Sequence, residues 1–189
     1  MPLFYLAVNW VSLLSNAPHN LGFNPQEMTH HTTGDWALRF LLLTLCISPV
    51  AKWRPVRSIM AYRRMAGLWS FAYGVLHIVS YVWLDKFFDW SEIWGDLIKR
   101  PYITIGMAAF LSLLPLAITS TNGWIKKMGA ARWQALHRLS YLAALLAPLH
   151  FIMMRKGWQL EPRIYALFAL LLIAVRLGPI LKAQSKFKR

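Results

Sequence analysis

The chain has 189 residues, 57% of them hydrophobic, with a mean hydropathy of +0.40 and a formal net charge of +14. Its charged residues are confined to short intervals between long apolar runs, which excludes a water-soluble globular domain and indicates a polytopic membrane protein. The excess of lysine and arginine lies beside hydrophobic segments rather than on a soluble basic face, so it argues for a topology signal and against nucleic-acid binding. The single cysteine, Cys46, leaves neither a disulfide framework nor a CxxCH haem attachment.

Apolar runs follow one another at about 2–15, 36–51, 65–84, 101–119, 133–154 and 162–181, which predicts an all-α membrane bundle of about six transmembrane helices, one domain over residues 1–189. The first run is short for a span, and its start lacks the positive n-region of a cleaved signal peptide, so it reads as a retained first helix. Asn16 to Asp35 is rich in turn formers and contains no Lys or Arg; it predicts an outer loop in which His19, His30 and His31 are solvated, capping or turned towards a partner. Three intervals carry basic residues and no acid: Lys52, Arg54, Arg57, Arg63, Arg64; Lys126, Lys127, Arg132, Arg138; and Arg176, Lys182, Lys186, Lys188, Arg189. The carboxylates Glu27, Asp35, Asp85, Asp89, Glu92, Asp96 and Glu161 fall in or beside the others. The positive-inside rule then places both termini in the cytoplasm, with odd-numbered spans running outward. Lys86 to Arg100, with Phe87, Phe88, Trp90, Ile93, Trp94, Leu97 and Ile98, predicts an amphipathic helix on the outer surface, a candidate docking surface.

Histidines inside the spans are the chemically informative residues, because ionisable side chains in a bilayer are costly and mark function. The fifth run carries His137 and His150 thirteen residues apart, about 20 Å in depth on a helix. His77 lies about as deep in the third run as His150 does in the fifth, in the outer half of the bilayer, so the two can face each other across one site. Positions three and seven residues away on the mid-membrane side are small: Gly74 and Ser70 for His77, Ala147 and Ala143 for His150, Ser140 and Ala144 for His137. Small residues permit close helix packing; repeated beside three buried histidines, they also suit a flat macrocycle. His77 with His150 therefore reads as a bis-imidazole site for a non-covalent b-type haem, an electron carrier with no open axial position.

The inner site is less complete. A haem on His137 would look for a partner on the third span at Arg64, which supplies no ordinary axial ligand but could pair with a propionate. That haem is five-coordinate, uses a ligand such as methionine, or is absent, so one or two haems are expected. On a straight helix His137 and His150 point about 140° apart, an offset that a kink at Pro148 would reduce. Arg39 and Arg155 are candidates for the outer propionates, with snorkelling to lipid phosphate as the alternative. Arg64, Arg132 and Arg138 are inner candidates, with the positive-inside role as theirs.

The residues HTTG (His31–Gly34), RRMAGLW (Arg63–Trp69), LHIVSY (Leu76–Tyr81), KRPYITIG (Lys99–Gly106), TSTN (Thr119–Asn122), RWQALHRLSY (Arg132–Tyr141) and APLHF (Ala147–Phe151) run in order through nearly the whole chain. With them the sequence resembles the MsrQ (YedZ) family, haem-binding membrane subunits of the bacterial methionine-sulfoxide reductase system within the ferric-reductase-like transmembrane superfamily. By this resemblance His77, His137 and His150 match the family's haem-ligand histidines. The resemblance implies an inner-membrane electron-transfer subunit rather than the catalytic one. Such a subunit takes electrons from a cytoplasmic flavin reductase or from quinol and passes them to a periplasmic molybdopterin-containing methionine-sulfoxide reductase subunit. It also implies FMN, which no motif locates. No GxGxxG follows a strand and only about eight residues follow the sixth run, so no nicotinamide or flavin domain is expected and electrons must arrive from another molecule. Two rival classes use the same residues: a haem protein serving another acceptor, such as ferric iron or oxygen, and a haem-free transporter whose histidines serve protons or packing.

Overall fold

The computed structural model describes the backbone of residues 2–53, 58–155 and 157–187 and the side chains of 2–51, 58–155 and 157–176. Of the basic residues named above, Arg54, Arg57, Lys188 and Arg189, and the side chains of Lys52, Lys182 and Lys186, lie outside the described residues. Among the described residues the chain is all helix: α1 Pro2–Leu14, α2 Pro25–Trp53, α3 Ile59–Ser80 running into a π-helical turn Tyr81–Asp85, α4 Trp90–Lys99, α5 Pro101–Ile118, α6 Asn122–Met128, α7 Ala130–His137, α8 Leu139–Met154 and α9 Leu160–Phe187. Among the described residues four stretches are long and apolar enough to cross a membrane: Pro25–Ala51, Ile59–Asp85, Pro101–Ile118 and Ala130–Met154. α9 covers the sixth apolar run over 28 residues, whereas α1, with 13, is short for a span. The chain is a multi-pass membrane helix bundle.

α2 and α3 form one tightly packed antiparallel pair, α5 and α8 another. The core between them draws Leu38, Leu41, Leu42 and Leu45 from α2, Ala143, Ala144 and Phe151 from α8, and Ala169, Leu172 and Ile173 from α9. Ala143 and Ala144 are completely buried, since a methyl side chain lets the helix backbones approach where lipid provides no hydrophobic drive for association. The outward faces stay apolar, with Leu111, Leu142, Leu167, Leu171 and Val175 all exposed as a lipid-facing surface requires.

Two elements depart from the hydropathy reading. α2 begins at Pro25, not near 36, so that His30 and His31 sit on a helix instead of in a loop. Its polar first turns are helical because each group is satisfied locally: the Asn24 side chain accepts from the Glu27 amide, Thr29 donates to the Pro25 carbonyl and Thr33 to that of Thr29. Asn24 and Glu27 have the spacing of a capping box, with the Asn24 side-chain amide donating to Glu27 Oε2 and proline at the first helical position. The second departure is in the fifth run, which is one span interrupted at Arg138: α7 stops at His137, and the Arg138 amide falls back on the Ala135 carbonyl, a tighter three-residue bond.

Beyond α3 the π-helical turn ends in Phe87 and Phe88, both with positive φ (46° and 63°), which reverses the chain into α4. Asp89 caps α4, accepting from the amides of Ser91 and Glu92. Pro101 then opens α5 after an extended Arg100. α4 thus lies across the bundle end where α3 stops and α5 starts, as the amphipathic interval predicts.

Candidate functional site

The stretches that bring residues together are the third and fifth apolar runs, as expected, joined by the unexpected first turns of α2. His77 of α3 and His150 of α8 line a cavity of about 360 Å³, and their ring centroids lie 6.2 Å apart with the planes crossed at 81°. Ser70, Gly74, Ala143 and Ala147, the small positions beside each histidine, line the same cavity. Apolar side chains such as Leu38, Ile78, Met107, Phe110 and Leu113 supply most of the remaining wall.

Each imidazole is held by a backbone carbonyl. His77 Nδ1 lies 3.0 Å from the His30 carbonyl, and His150 Nδ1 lies 2.6 Å from that of Tyr102. A carbonyl only accepts, so Nδ1 must carry the proton in both rings and Nε2 is left with its lone pair, the tautomer a metal ligand needs. Two imidazole nitrogens about 2 Å from one iron, with ring centres about 1 Å behind them, set centroids about 6 Å apart. The observed separation is of that size, and the residues present fit an iron porphyrin gripped from both faces.

His30 completes the α2 side. Its ring stacks on that of His77 at 3.9 Å and 27°, and its Nδ1 meets Ser80 Oγ at 3.1 Å while Ser80 donates to the His77 carbonyl. His31, Asp35, Tyr81, Asp85, Arg100 and Tyr102 reach the cavity at the α4 end. Above them Asp96, nearly buried, accepts from Tyr81 Oη at 2.8 Å, Lys86 Nζ at 2.7 Å and Arg100 Nε at 2.9 Å, and Lys86 also pairs with Glu92. Burial alone would raise the Asp96 carboxyl; the hydrogen bonds from Lys86 and Tyr81 and the charge of Arg100 outweigh it and hold it below the usual carboxylate range. Ile93 and Leu97 on the underside of α4 line the cavity, whereas Trp90, Trp94 and Ile98 face outward.

The remaining sequence candidates stand elsewhere. His137 does not line the cavity; it stacks on Trp133 at 3.8 Å and its Nδ1 lies 3.1 Å from the Trp133 carbonyl. Arg64 donates to the Ser120 carbonyl and to Asn122 Oδ1, joining α3 to the start of α6. Arg39 donates to Tyr165 at 2.8 Å and lies 3.7 Å from Glu161. Arg155 lies over the Phe151 ring, its Nε buried without a hydrogen-bond partner among the described residues. Sequence reasoning missed His30 and Arg100. The Asn24–Glu27 capping box, which extends the helix back through His30, was the signal available for the first.

Residues 33–148 match the model of the ferric reductase like transmembrane component. The chain is 48% identical over 165 residues to the protein-methionine-sulfoxide reductase heme-binding subunit MsrQ of Rhodospirillum rubrum, covering 87% of this chain and 79% of that one. Proteins of the same description from Caulobacter vibrioides and Herminiimonas arsenicoxydans are each 45% identical, covering 81% and 88% of this chain and 73% and 77% of their own. The matched segment takes in His77 and ends two residues before His150, and with these relatives the chain belongs to the MsrQ family, within the ferric-reductase-like transmembrane proteins.

Proposed function

We propose that this chain is the haem-binding, electron-transferring membrane subunit of a methionine-sulfoxide reductase system, a single domain over residues 1–189 in a bacterial inner membrane with both termini cytoplasmic. The observation that carries the reading is the pair of imidazoles 6.2 Å apart on α3 and α8, each fixed by a carbonyl so that Nε2 is free to bind iron. A b-type haem held there by His77 and His150 would supply a reversible one-electron couple.

The chain's own residues do the rest. His77 and His150 bind and orient the iron. Leu38, Phe110 and Leu113 keep water from the macrocycle, and a dry surround limits the reorganisation that accompanies a change of charge. Arg100 lines the cavity mouth, where it also bonds Asp96 and Tyr102, and Arg155 keeps a buried Nε without a hydrogen-bond partner among the described residues; these are the candidate cations for propionates. Arg39, tied to Tyr165 and Glu161, and Arg64, tied to Asn122, have other work and do not line the cavity, which makes them weaker candidates for the same role. His137 is a candidate ligand for a second haem. No second imidazole faces it at the Arg64 position, so that haem would take at most one histidine from this pair of helices. Electrons enter from a cytoplasmic flavin reductase or from quinol and leave to a periplasmic molybdopterin-containing methionine-sulfoxide reductase subunit. FMN, which the resemblance implies, has no residues assigned to it.

Purified protein tests the reading directly. It should show a Soret band with split α/β bands on reduction, and the reduced form should be reoxidised when a periplasmic methionine-sulfoxide reductase and a sulfoxide substrate are added together. Haem-free protein would end the proposal. Reoxidation by ferric iron or oxygen but not by the sulfoxide system would replace the acceptor and leave the haem site standing.

A further inference from the structure

The two histidine-bearing helices are met by the same local arrangement on their neighbours, although the neighbours are unrelated in register along the chain. On α2 the carbonyl that receives His77 belongs to His30, four residues before Gly34; on α5 the carbonyl that receives His150 belongs to Tyr102, four residues before Gly106. In both cases the glycine lies directly under the ring. A Cβ at Gly34 would stand 3.0 Å from Cε1 and Nδ1 of His77; at Gly106 it would stand 2.8 Å from Nδ1, 2.9 Å from Cε1 and 3.1 Å from Cγ of His150. Among the described residues the other glycines of the spans face no imidazole. Gly67 faces the Thr44 side chain at 3.6 Å and Gly74 faces Phe110 at 3.3 Å.

The spacing of four has a physical reason. In an α-helix the side chain at position i+4 stands beside the carbonyl of residue i, which is why Ser and Thr there bond back to it. That carbonyl already accepts the amide of residue i+4. At His30 the Thr33 hydroxyl also donates to this oxygen, at 2.9 Å, and a ring that approaches over position i+4 can share it only where no Cβ stands in the way. Glycine at i+4 opens that side, and the imidazole then lies against bare backbone while its Nδ1 reaches the carbonyl one turn earlier.

We propose that Gly34 and Gly106 are positioning residues for the two axial imidazoles: each admits one ring to a helix carbonyl, and together they set the crossed ring planes at the iron. The inference rests on the bis-imidazole reading above and adds what fixes it. Because α2 orients one ring and α5 the other, the 81° between the planes is set by two independent helices. Crossed imidazole planes give a ferric low-spin haem a highly anisotropic electron paramagnetic resonance signal with its first line at large g, and this reports the angle.

The experiment compares Gly34→Ala, Gly106→Ala and, as a tolerated helical substitution, Gly67→Ala in detergent-purified protein. Gly67→Ala should keep wild-type haem content, line position and midpoint potential. Gly34→Ala should keep haem but move the large-g line and the potential, and Gly106→Ala, the tighter contact, should lose most of its haem. Wild-type spectra in both alanine variants would overturn the proposal. Loss through general misfolding is separated by a cycle with His150→Ala. With the imidazole gone, Gly106→Ala should lower neither the amount of folded protein nor its melting midpoint any further. An equal loss in both backgrounds would show that the glycine serves helix packing, and the proposal would fall. Failure of the haem reading shows separately, as wild-type haem in His77→Ala and His150→Ala whatever the glycine variants do.

Discussion

The two ends of the bundle begin from the same sequence pattern and arrive at different structures. His150 has Ala147 and Ala143 below it, and His137 has Ser140 and Ala144 above it, so both carry small residues at three and seven positions towards mid-membrane. Around His150 those positions open on a cavity that also holds His77. Around His137, Ser140 Oγ bonds back to the His137 carbonyl at 2.8 Å and Ala144 is sealed in the core against α2 and α9. Small residues beside a histidine are thus permissive only. What distinguishes the α4 end is a second imidazole about one iron's reach away, with a carbonyl on a neighbouring helix for each Nδ1. Among the described residues His137 bonds only to its own helix, and Arg64, the α3 position expected to face it, is a guanidinium engaged with Ser120 and Asn122.

The sharpest way to break that comparison is to remove the histidines singly and measure haem per protein with the pyridine haemochrome. His77→Ala and His150→Ala should each abolish the same bis-imidazole haem, because one remaining ligand leaves the iron exposed to solvent exchange and a high-spin spectrum. His137→Ala should leave that haem and its low-spin spectrum intact, whether or not it removes a second one. Loss of the low-spin haem in His137→Ala would mean that the two ends share one site, contrary to the geometry.

Much of the α4 end could be read in the residues. Hydropathy located the four stretches long and apolar enough to span, and equal depths of His77 and His150 in the third and fifth runs brought them to one level, where the structure has them. The surface helix between α3 and α5 was legible because apolar residues recur at helical spacing between charges. What hydropathy could not show was any polar segment folded into the bundle. The first turns of α2 read as a loop because Thr, His and Asn are weak helix formers in isolation; their side chains are satisfied by carbonyls a turn back and by Trp10, whose Nε1 donates to Thr29. The break at Arg138 was equally silent, with no Pro or Gly at the site. At Gly34 and Gly106 the motif was visible but its purpose was not, since the ring that each glycine receives comes from a helix 43 or 44 residues further along the chain.

A middle-sized effect is expected at the α4 end from Asp96→Asn. This carboxylate joins Tyr81, Lys86 and Arg100, hence the end of α3, the strained Phe87–Phe88 turn and the start of α5. Losing its charge should cost about 1.5–3 kcal/mol, the range for hydrogen bonds to charged groups, seen as roughly tenfold or faster amide exchange in α4. The pH dependence has a definite sign. A folded-state pKa held below the ordinary 3.8 contributes stability that is present above about pH 4 and is lost as pH falls through the lower folded value. Wild-type α4 should therefore stay protected from pH 8 to 5 and loosen only in stronger acid, while Asp96→Asn is looser throughout and keeps only the smaller acid response of the capping Asp89, whose carboxyl is also held low by its bonds from Ser91 and Glu92. An undiminished acid response in the Asn variant would assign the titration to another carboxylate.

The smallest effect separates the ends once more. Arg64 at the α6 end reaches Asn122 Oδ1 with two guanidinium nitrogens at 2.9 Å and the Ser120 carbonyl at 3.3 Å, on an exposed surface where such contacts are worth little. Arg64→Ala should lower the melting midpoint only slightly, by the equivalent of about 1 kcal/mol or less. Arg64→Lys should fall between wild type and alanine, because a single ammonium keeps the charge but loses the fork that holds Asn122. Haem content should not change in either variant if Arg64 is a clasp between α3 and α6. A haem deficit in Arg64→Ala that Arg64→Lys repairs would instead assign the charge to a propionate. That result would give the His137 end a cofactor site of its own and narrow the difference between the two ends to their second axial ligand.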